Sequence, residues 1–399
     1  MFEGWTDYLG ERFGGSKRPM PQLPILPLGV ELDEIAALAD RPDVRRAARA
    51  RLGLGDDDVL ALWVGRLSFY EKASPRPMFR AVEEAGQIAG RPLHFALAGW
   101  FPQDHHRGLF EEAARAYAPN TPLHWIDGND PVLLGEMWAA SDIFLSLVDN
   151  IQETFGLAPV EAMAAGLPVV ASDWDGYRFT IRHGQEGFLA PTLVPSPGPP
   201  SVMLLRRHLQ RMDTYQAYAG QLAQHTAVDV GAAARGLADL ALSPDLRRRM
   251  GAAGRARVRE TFDWKQVVVG YRVLFDSLAD LRRQAPAAFP GPRLNPVHGD
   301  PFRDHGSFAT LSLTADTEIA LRPGVDPLAD PALTSGIMLD SYGEAWRLSA
   351  ADLRPLADGL QGSGWRRVGD LLATIPPPAR ARTTYGLIWL CKMGVLDWR

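Results

Sequence analysis

The stretch Glu153-Thr-Phe-Gly156-Leu157-Ala-Pro159-Val-Glu161-Ala-Met-Ala-Ala-Gly166-Leu-Pro168-Val-Val-Ala-Ser172 decides how this chain folds. It opens on a polar, glycine-containing loop and passes at Leu157 into helical spacing. Pro159 falls in the first helical turn, where its missing N–H costs little. Gly166 and Pro168 end the helix, and an apolar run over 168–172 follows at once. A second apolar run over 143–148 precedes the loop. The unit reads strand, loop, helix, strand, which is the repeat of a parallel sheet covered on both faces.

The same alternation extends outward. Apolar runs over 59–64, 93–98 and 123–126 read as strands, and the spacing predicts helices over 78–89, 108–118 and 131–140. After Asp229 come helical patterns over 232–242, 244–261 and 264–283, with Asp229 and Ser243 as N-caps and Pro244 at a first helical position. Proline-rich stretches at 19–27, 191–200 and 286–296 cannot continue a helix or lie in a central strand. They read as an entry linker, an insertion and a domain boundary. The expected organisation is residues 1–40 as a lead-in, 41–285 as one Rossmann-like α/β domain with an inserted segment 191–228, and 286–399 as a small mixed or helical appendage. The insertion is expected to hold a helix over 202–224. In the appendage, 317–321 alternates like a strand, Ser349-x-x-Asp352 resembles a capping box, and 385–394 reads as a final buried helix.

Composition narrows the function. The 399 residues carry 42 Lys+Arg against 47 Asp+Glu, a formal charge of −5, spread along the chain without the basic patch of a nucleic-acid binder. One cysteine allows neither an internal disulfide nor a Cys-based metal site, and points to a cytosolic or redox-neutral setting. Cys391 reads as a small core residue. No apolar run approaches the roughly 18–20 residues that span a bilayer, and the N-terminus lacks the apolar core of a secretory signal.

The chemistry concentrates at one sheet edge. Ligands of open α/β sheets bind beyond the carboxyl ends of the strands. There the free N–H groups of Gly156 and Leu157 face outward, and a helix N-terminus favours an anion such as a diphosphate. Glu153 before the helix and Glu161 one turn inside it bracket that anion. One carboxylate suits a ribose diol, the other the hydroxyls of a sugar. A second loop, Gly65-Arg66-Leu-Ser-Phe-Tyr-Glu71-Lys72, leaves the strand at 59–64 towards the same edge. Its guanidinium fork and its point charge suit a diphosphate leaving group. Asp173-Trp174-Asp175 also lies at this edge but is more simply an Asp-Gly turn, and Gly176-Tyr177-Arg178 continues it as a possible sugar contact. His105-His106 reads as a polar loop, His183 as part of a turn, and the arginines at 247–249, 255, 257 and 259 as a solvated helix face.

Taken together, these motifs resemble the Glu-x7-Glu signature and diphosphate clamp of retaining, GT-B-fold glycosyltransferases of the family 4, or group 1, type. Gly99, Ala140-Ser-Asp142-Ile-Phe, Gly184-x-x-Gly187-Phe-Leu, and the pattern from Pro244 through Gly254 to Phe262-Asp-Trp264 match as well. The resemblance implies half of a GT-B fold, the donor-binding half. Arg66, Lys72 and Glu153 take the catalytic places. Gly65, Phe155, Gly156, Leu157 and Glu161 take the donor-binding ones. Residues 126–131 stand where the family reads the base. The implied reaction moves a hexose-type sugar from a nucleotide-diphosphate sugar to a sugar, glycan or lipid-linked acceptor with retention, using no metal and no cofactor beyond the co-substrate. The family's first domain normally precedes the linker Pro24-Ile-Leu-Pro27-Leu-Gly29-Val-Glu31. Fewer than 30 residues stand there, so residues 1–40 are expected to be the remnant of that domain and its linker, and the chain to be a truncated gene product, a fragment, or a protein whose acceptor half is a separate chain. The alternative is a non-catalytic sugar-nucleotide-binding module or an inactive fragment that needs a partner domain. The expected location is cytoplasmic, with peripheral contact at the inner membrane face left open, and neither nucleic acid nor a transmembrane segment is implied.

Overall fold

The computed structural model describes residues 2–14, 23–196, 199–284, 302, 309, 311–326 and 348–399. The chain divides into two compact units, Met1–Ala285 and Pro286–Arg399. The boundary stretch 286–296, and residues 19–22 and 197–198 of the other proline-rich stretches, lie outside the described residues.

In the first unit, α1 (Phe2–Phe13), α2 (Leu32–Ala39) and α3 (Pro42–Arg51) precede the sheet. Strands and helices then alternate: β1 (Leu60–Arg66), α4 (Pro75–Ala89), β2 (His94–Trp100), α5 (His106–Tyr117), β3 (Leu123–Asp127), α6 (Pro131–Ala140), β4 (Ile143–Ser146), α7 (Leu157–Ala165), β5 (Val169–Ser172), α8 (Tyr177–Thr180) and β6 (Gly187–Ala190). All six strands are parallel, in the order β3-β2-β1-β4-β5-β6. This is the doubly wound Rossmann order, which reverses direction between β1 and β4. The α/β class and the single Rossmann-like sheet read from the sequence are therefore the observed ones. The central strands are buried on both faces, with Leu60, Leu62, Phe95, Leu97, Phe144 and Val170 in one core, so their apolar runs are continuous rather than alternating.

A short hairpin of β7 (Thr192–Leu193) and β8 (Ala227–Val228) closes an excursion that holds α9 (Pro199–Leu209) and α10 (Tyr215–Ala223). The single helix expected over 202–224 is thus two. Arg211 has a left-handed φ of 58°, and Thr214 caps α10 by accepting the Ala217 N–H at 3.1 Å. The chain returns through α11 (Val230–Leu242), α12 (Pro244–Arg257) with a π-turn at Val258–Phe262, and α13 (Trp264–Gln284).

The second unit is mixed. Among its described residues are β9 (Glu318–Leu321), α14 (Ala350–Asp358), β10 (Arg366–Arg367), α15 (Val368–Ala373), α16 (Pro377–Lys392) and β11 (Leu396–Trp398). The strands form an antiparallel sheet, β10-β9-β11, over a core that includes Ile319, Leu353, Leu360, Leu387 and Leu396. Ser349 caps α14 by accepting the Asp352 N–H at 3.2 Å. The last helix starts at Pro377, eight residues before the expected 385, because its first turns are polar and hide the helical period. Cys391 is half-buried, and burial pushes its thiol up to about 11.

One buried carboxylate pins the point of reversal in the first unit. Asp142, just before β4, accepts the Leu60 N–H of β1 at 2.9 Å, Arg45 at 2.6 Å and Arg49 at 3.0 Å. Arg49 also donates to the Ala140, Gly55 and Asp58 carbonyls. Arg45 donates to those of Ala139, Ala140 and Ser141, which satisfies the open C-terminal end of α6. The side chains of Arg49 and Asp142 are only 7% and 9% exposed. Removing one partner therefore leaves an uncompensated buried charge. Asp142→Ala is expected to cost about 3–5 kcal/mol in urea denaturation. A loss within the range of an ordinary surface change would show that the pair does not hold β1 to β4.

Candidate functional site

The reversal of strand order places two loops side by side, the one after β1 (residues 67–74) and the one after β4 (147–156). They meet as a parallel sheet requires at its switch point. Lys72 Nζ is in direct ion-pair contact with Glu153 Oε2, both side chains being mostly buried. Arg66 donates to Glu71 Oε2 at 3.3 Å, and Ser68 Oγ donates to the same oxygen at 3.3 Å. The structure thus brings together Lys72 and Glu153, 81 residues apart in sequence, while Arg66, at the end of β1, pairs within its own loop. Each cation rests on a carboxylate.

Helix α7 begins at this edge. Gly156 is its N-cap, with φ +81° and no side-chain cap. A Cβ there would lie 2.1 Å from the Tyr177 ring, so only glycine combines that backbone with that neighbour. Glu161, one turn inside, is half-buried. It has no hydrogen-bond or ion-pair partner among the described residues, and burial raises its carboxyl above the usual range. A half-buried, unpaired carboxylate beside open helix N–H groups has capacity to accept hydroxyl hydrogens. Phe155 packs edge-on to Phe262 at 5.9 Å, whereas Leu157 is exposed. Gly65, next to last in β1, pairs with Gly99 of β2, where a Cβ on Gly99 would meet the Gly65 carbonyl oxygen at 1.9 Å. The edge there is bare backbone. Residues 126–131 form a turn in which the Gly128 N–H donates to the Gly99 oxygen at 3.0 Å. Asp130 then caps α6, accepting from Val132 and Leu133.

Several residues that sequence reasoning missed hold these loops. Asn150 is buried. Its amide donates to the Tyr70 carbonyl at 2.8 Å, and its own side-chain oxygen accepts the Gln152 N–H at 2.9 Å. The Asn150 carbonyl accepts Trp174 Nε1 at 3.1 Å. It therefore ties together the loops after β1, β4 and β5. Its only sequence signal is its place four residues past the end of a strand. Tyr177, read as part of a possible sugar contact, is 1% exposed, and its hydroxyl shares a 3.0 Å hydrogen bond with Ser146. Burial and the nearby Glu153 charge hold its phenol neutral. It supports Gly156 from below rather than reaching a ligand. Arg178 turns back onto Asp173 at 2.6 Å.

Other expectations change in the same way. His106 is not in a polar loop. It is buried at the start of α5, against Phe69 and Tyr70, and burial lowers its imidazole. His183 lies in a turn, its Nδ1 accepting the Leu189 N–H at 3.1 Å. The α12 arginines are not simply a solvated face. Arg247 donates to Leu240 and Ala241, Arg255 to Ala164 and Ala165, and Arg257 to Phe179 and Thr180. Each satisfies carbonyls at the end of another helix. No group of three or more His, Cys, Asp or Glu side chains converges as a metal site among the described residues.

With this geometry in hand, residues 44–193 match the model of the family described as glycosyl transferases group 1. The segment from α3 through β7 is thus similar to group 1 glycosyl transferases. Among curated proteins it is 32% identical over 168 residues to D-inositol 3-phosphate glycosyltransferase of Rhodococcus erythropolis, covering 40% of this chain and 36% of that one. It is 30% identical over 246 residues to the Streptomyces scabiei protein of the same name, covering 59% and 44%. The chain thus spans less than half the length of these relatives. Among solved structures, sucrose-phosphate synthase from Thermosynechococcus elongatus aligns with TM-score 0.44 at 23% identity, over 69% of this chain and 56% of that one. The glycosyl transferase match ends at Leu193, before α9 and α10. No helix among the described residues is long and apolar enough to cross a membrane.

Asp149 adds a titration to this site. It is buried between β4 and the start of α4, accepts long hydrogen bonds of 3.4 Å from the Ser74 N–H, and is pushed by burial up to about 7. A raised carboxyl binds its proton more tightly in the folded state, so stability falls as pH rises from about 4 to about 7. Asp149→Asn is expected to gain about 1–3 kcal/mol at about pH 8 and almost nothing near pH 4, measured by urea denaturation at both. An equal gain at the two pH values would contradict a buried, titrating Asp149.

Proposed function

We propose that this domain binds a nucleotide-diphosphate sugar at the β1/β4 edge and supports transfer of its hexose-type sugar with retention of configuration. The observation that carries the reading is the Lys72–Glu153 ion pair, which joins the loop after β1, where Arg66 rests on Glu71, to the loop leading into the uncapped N-terminus of α7, with Glu161 one turn inside that helix and without a partner among the described residues.

In this reading the diphosphate displaces the carboxylates from the cations. Arg66 and Lys72 pass from Glu71 and Glu153 to phosphate oxygens, and the N–H groups of Gly156 and Leu157 take the distal phosphate. The phosphates keep the cations compensated, and the released carboxylates, whose side chains are mostly buried, have to be met by hydroxyl hydrogens instead. The bond between the anomeric carbon and the phosphate oxygen breaks, and the diphosphate leaves with the electron pair. The two cations and the helix N-terminus stabilise that charge where it develops. No metal is needed for this role. Glu153, freed from Lys72, faces the sugar hydroxyls, and Glu161 accepts from the ribose diol, a bond that its burial strengthens. The acceptor hydroxyl attacks from the face the leaving group vacates: its oxygen forms the new bond to the anomeric carbon, and its proton passes to the departing phosphate oxygen. The curated relatives supply the transferase class, and their greater length leaves room for an acceptor-binding region beyond the part matched here.

Titration calorimetry with nucleoside diphosphates tests the reading. Lys72→Ala is expected to weaken binding by roughly 10–100-fold, because it removes a charged partner and leaves Glu153 repelling the phosphates, and Glu161→Ala by roughly tenfold. Wild-type affinity in both variants would sink the assignment. A chain that binds but never consumes the sugar nucleotide, with or without acceptor, would be the non-catalytic module instead.

A further inference from the structure

The excursion between β7 and β8 lies outside the glycosyl transferase match and contributes no residue to the proposed donor site. Its inward contacts are accounted for. Arg207 pairs with Asp213 through hydrogen bonds of 2.7 and 2.9 Å. His208 stacks on Tyr218 at 5.0 Å. Gly220 of α10 packs on Tyr70, in the same loop as Lys72, where a Cβ would lie 2.9 Å from that of Tyr70.

The outward face of α9 is not accounted for. Val202, Leu205 and Leu209 follow i, i+3, i+7 on one side of the helix and are 45%, 41% and 69% exposed, and Met212 just beyond the helix is 62% exposed. A helix that turns its apolar stripe away from the core has another medium to meet. Beside that stripe, Arg206 and Arg211 are exposed and have no carboxylate partner among the described residues. The only acid in the excursion, Asp213, is already taken by Arg207. In a chain of net charge −5, residues 199–224 carry three arginines against that single acid.

We propose that α9 docks this domain on an anionic lipid surface. The helix lies in the plane of the interface, with Val202, Leu205, Leu209 and Met212 at the acyl boundary and Arg206 and Arg211 on headgroup phosphates. Unpaired cations flanking an apolar stripe match a surface whose anionic layer lies directly over hydrocarbon. Because α10 rests on the Tyr70 loop, docking holds the β1/β4 edge close to the bilayer. Given the donor-site reading above, this points to a lipid-linked acceptor; the docking itself does not depend on that reading.

Vesicle flotation of the full chain tests the docking, comparing equimolar phosphatidylcholine and phosphatidylglycerol with phosphatidylcholine alone. Wild type is expected to float mainly with the anionic vesicles. Leu205→Asp with Leu209→Asp should lower the bound fraction by about tenfold or more. Arg206→Glu with Arg211→Glu should remove the preference for anionic lipid. Nucleoside diphosphate affinity should stay at the wild-type level in both, so that loss of docking and loss of the donor site are read separately. Phe275→Asp, at an exposed position of α13, should still float. Absence of flotation, wild-type flotation of the aspartate variant, or equal loss in Phe275→Asp would overturn the proposal. So would vesicle-free self-association abolished by the α9 aspartates, which would assign this face to a second copy.

Discussion

The alignment of β1 with β4 is the constraint on which the rest of the first unit depends, and Asp142 enforces it. Its carboxylate takes the first N–H of β1 while it stands at the entrance to β4, and it is neutralised by two arginines of α3. A buried acid held this way tolerates no slip in register, because any slip would leave a charge unpaired in a low dielectric. With β1 and β4 adjacent and parallel, the loops that leave them have to meet at the opposite edge. Lys72 and Glu153 are in contact there for that reason, although they stand 81 residues apart in sequence.

The site edge obeys the same electrostatic logic at lower cost. Its cations and carboxylates compensate one another, Arg66 with Glu71 within one loop and Lys72 with Glu153 across two, so the crevice is charged yet locally neutral. Asn150 and the buried Tyr177 carry no charge and hold the loops through amide, carbonyl and hydroxyl bonds. The elements that position the site are therefore insensitive to the anion, while the groups placed to meet it can exchange partners. Glu161 differs from the others in having no partner among the described residues, and burial makes its charged form the more costly.

Arginine does much of the structural work in this unit. Arg45, Arg49, Arg247, Arg255 and Arg257 each donate to carbonyls at helix ends. Their forked donors fit the several unsatisfied carbonyls of a last helical turn better than a lysine would. Helical spacing alone could not distinguish this role from solvated charge, because the carbonyls lie on other helices.

The sequence by itself determined the alternation of strands and helices, the ends of α6 and α7, and the residue types at the donor edge. These are local matters of apolar period, proline placement and glycine at positive φ. It also carried the resemblance to group 1 glycosyl transferases, since the Glu-x7-Glu spacing lies within one loop and one helix. Only the tertiary structure decided that Lys72 rests on Glu153, that Asn150 joins three loops, that Tyr177 is a support beneath Gly156, and that residues 202–224 form two helices with an apolar side turned outward. Each of these depends on which distant segment supplies the partner. That is set by strand order and burial, which sequence periodicity does not encode.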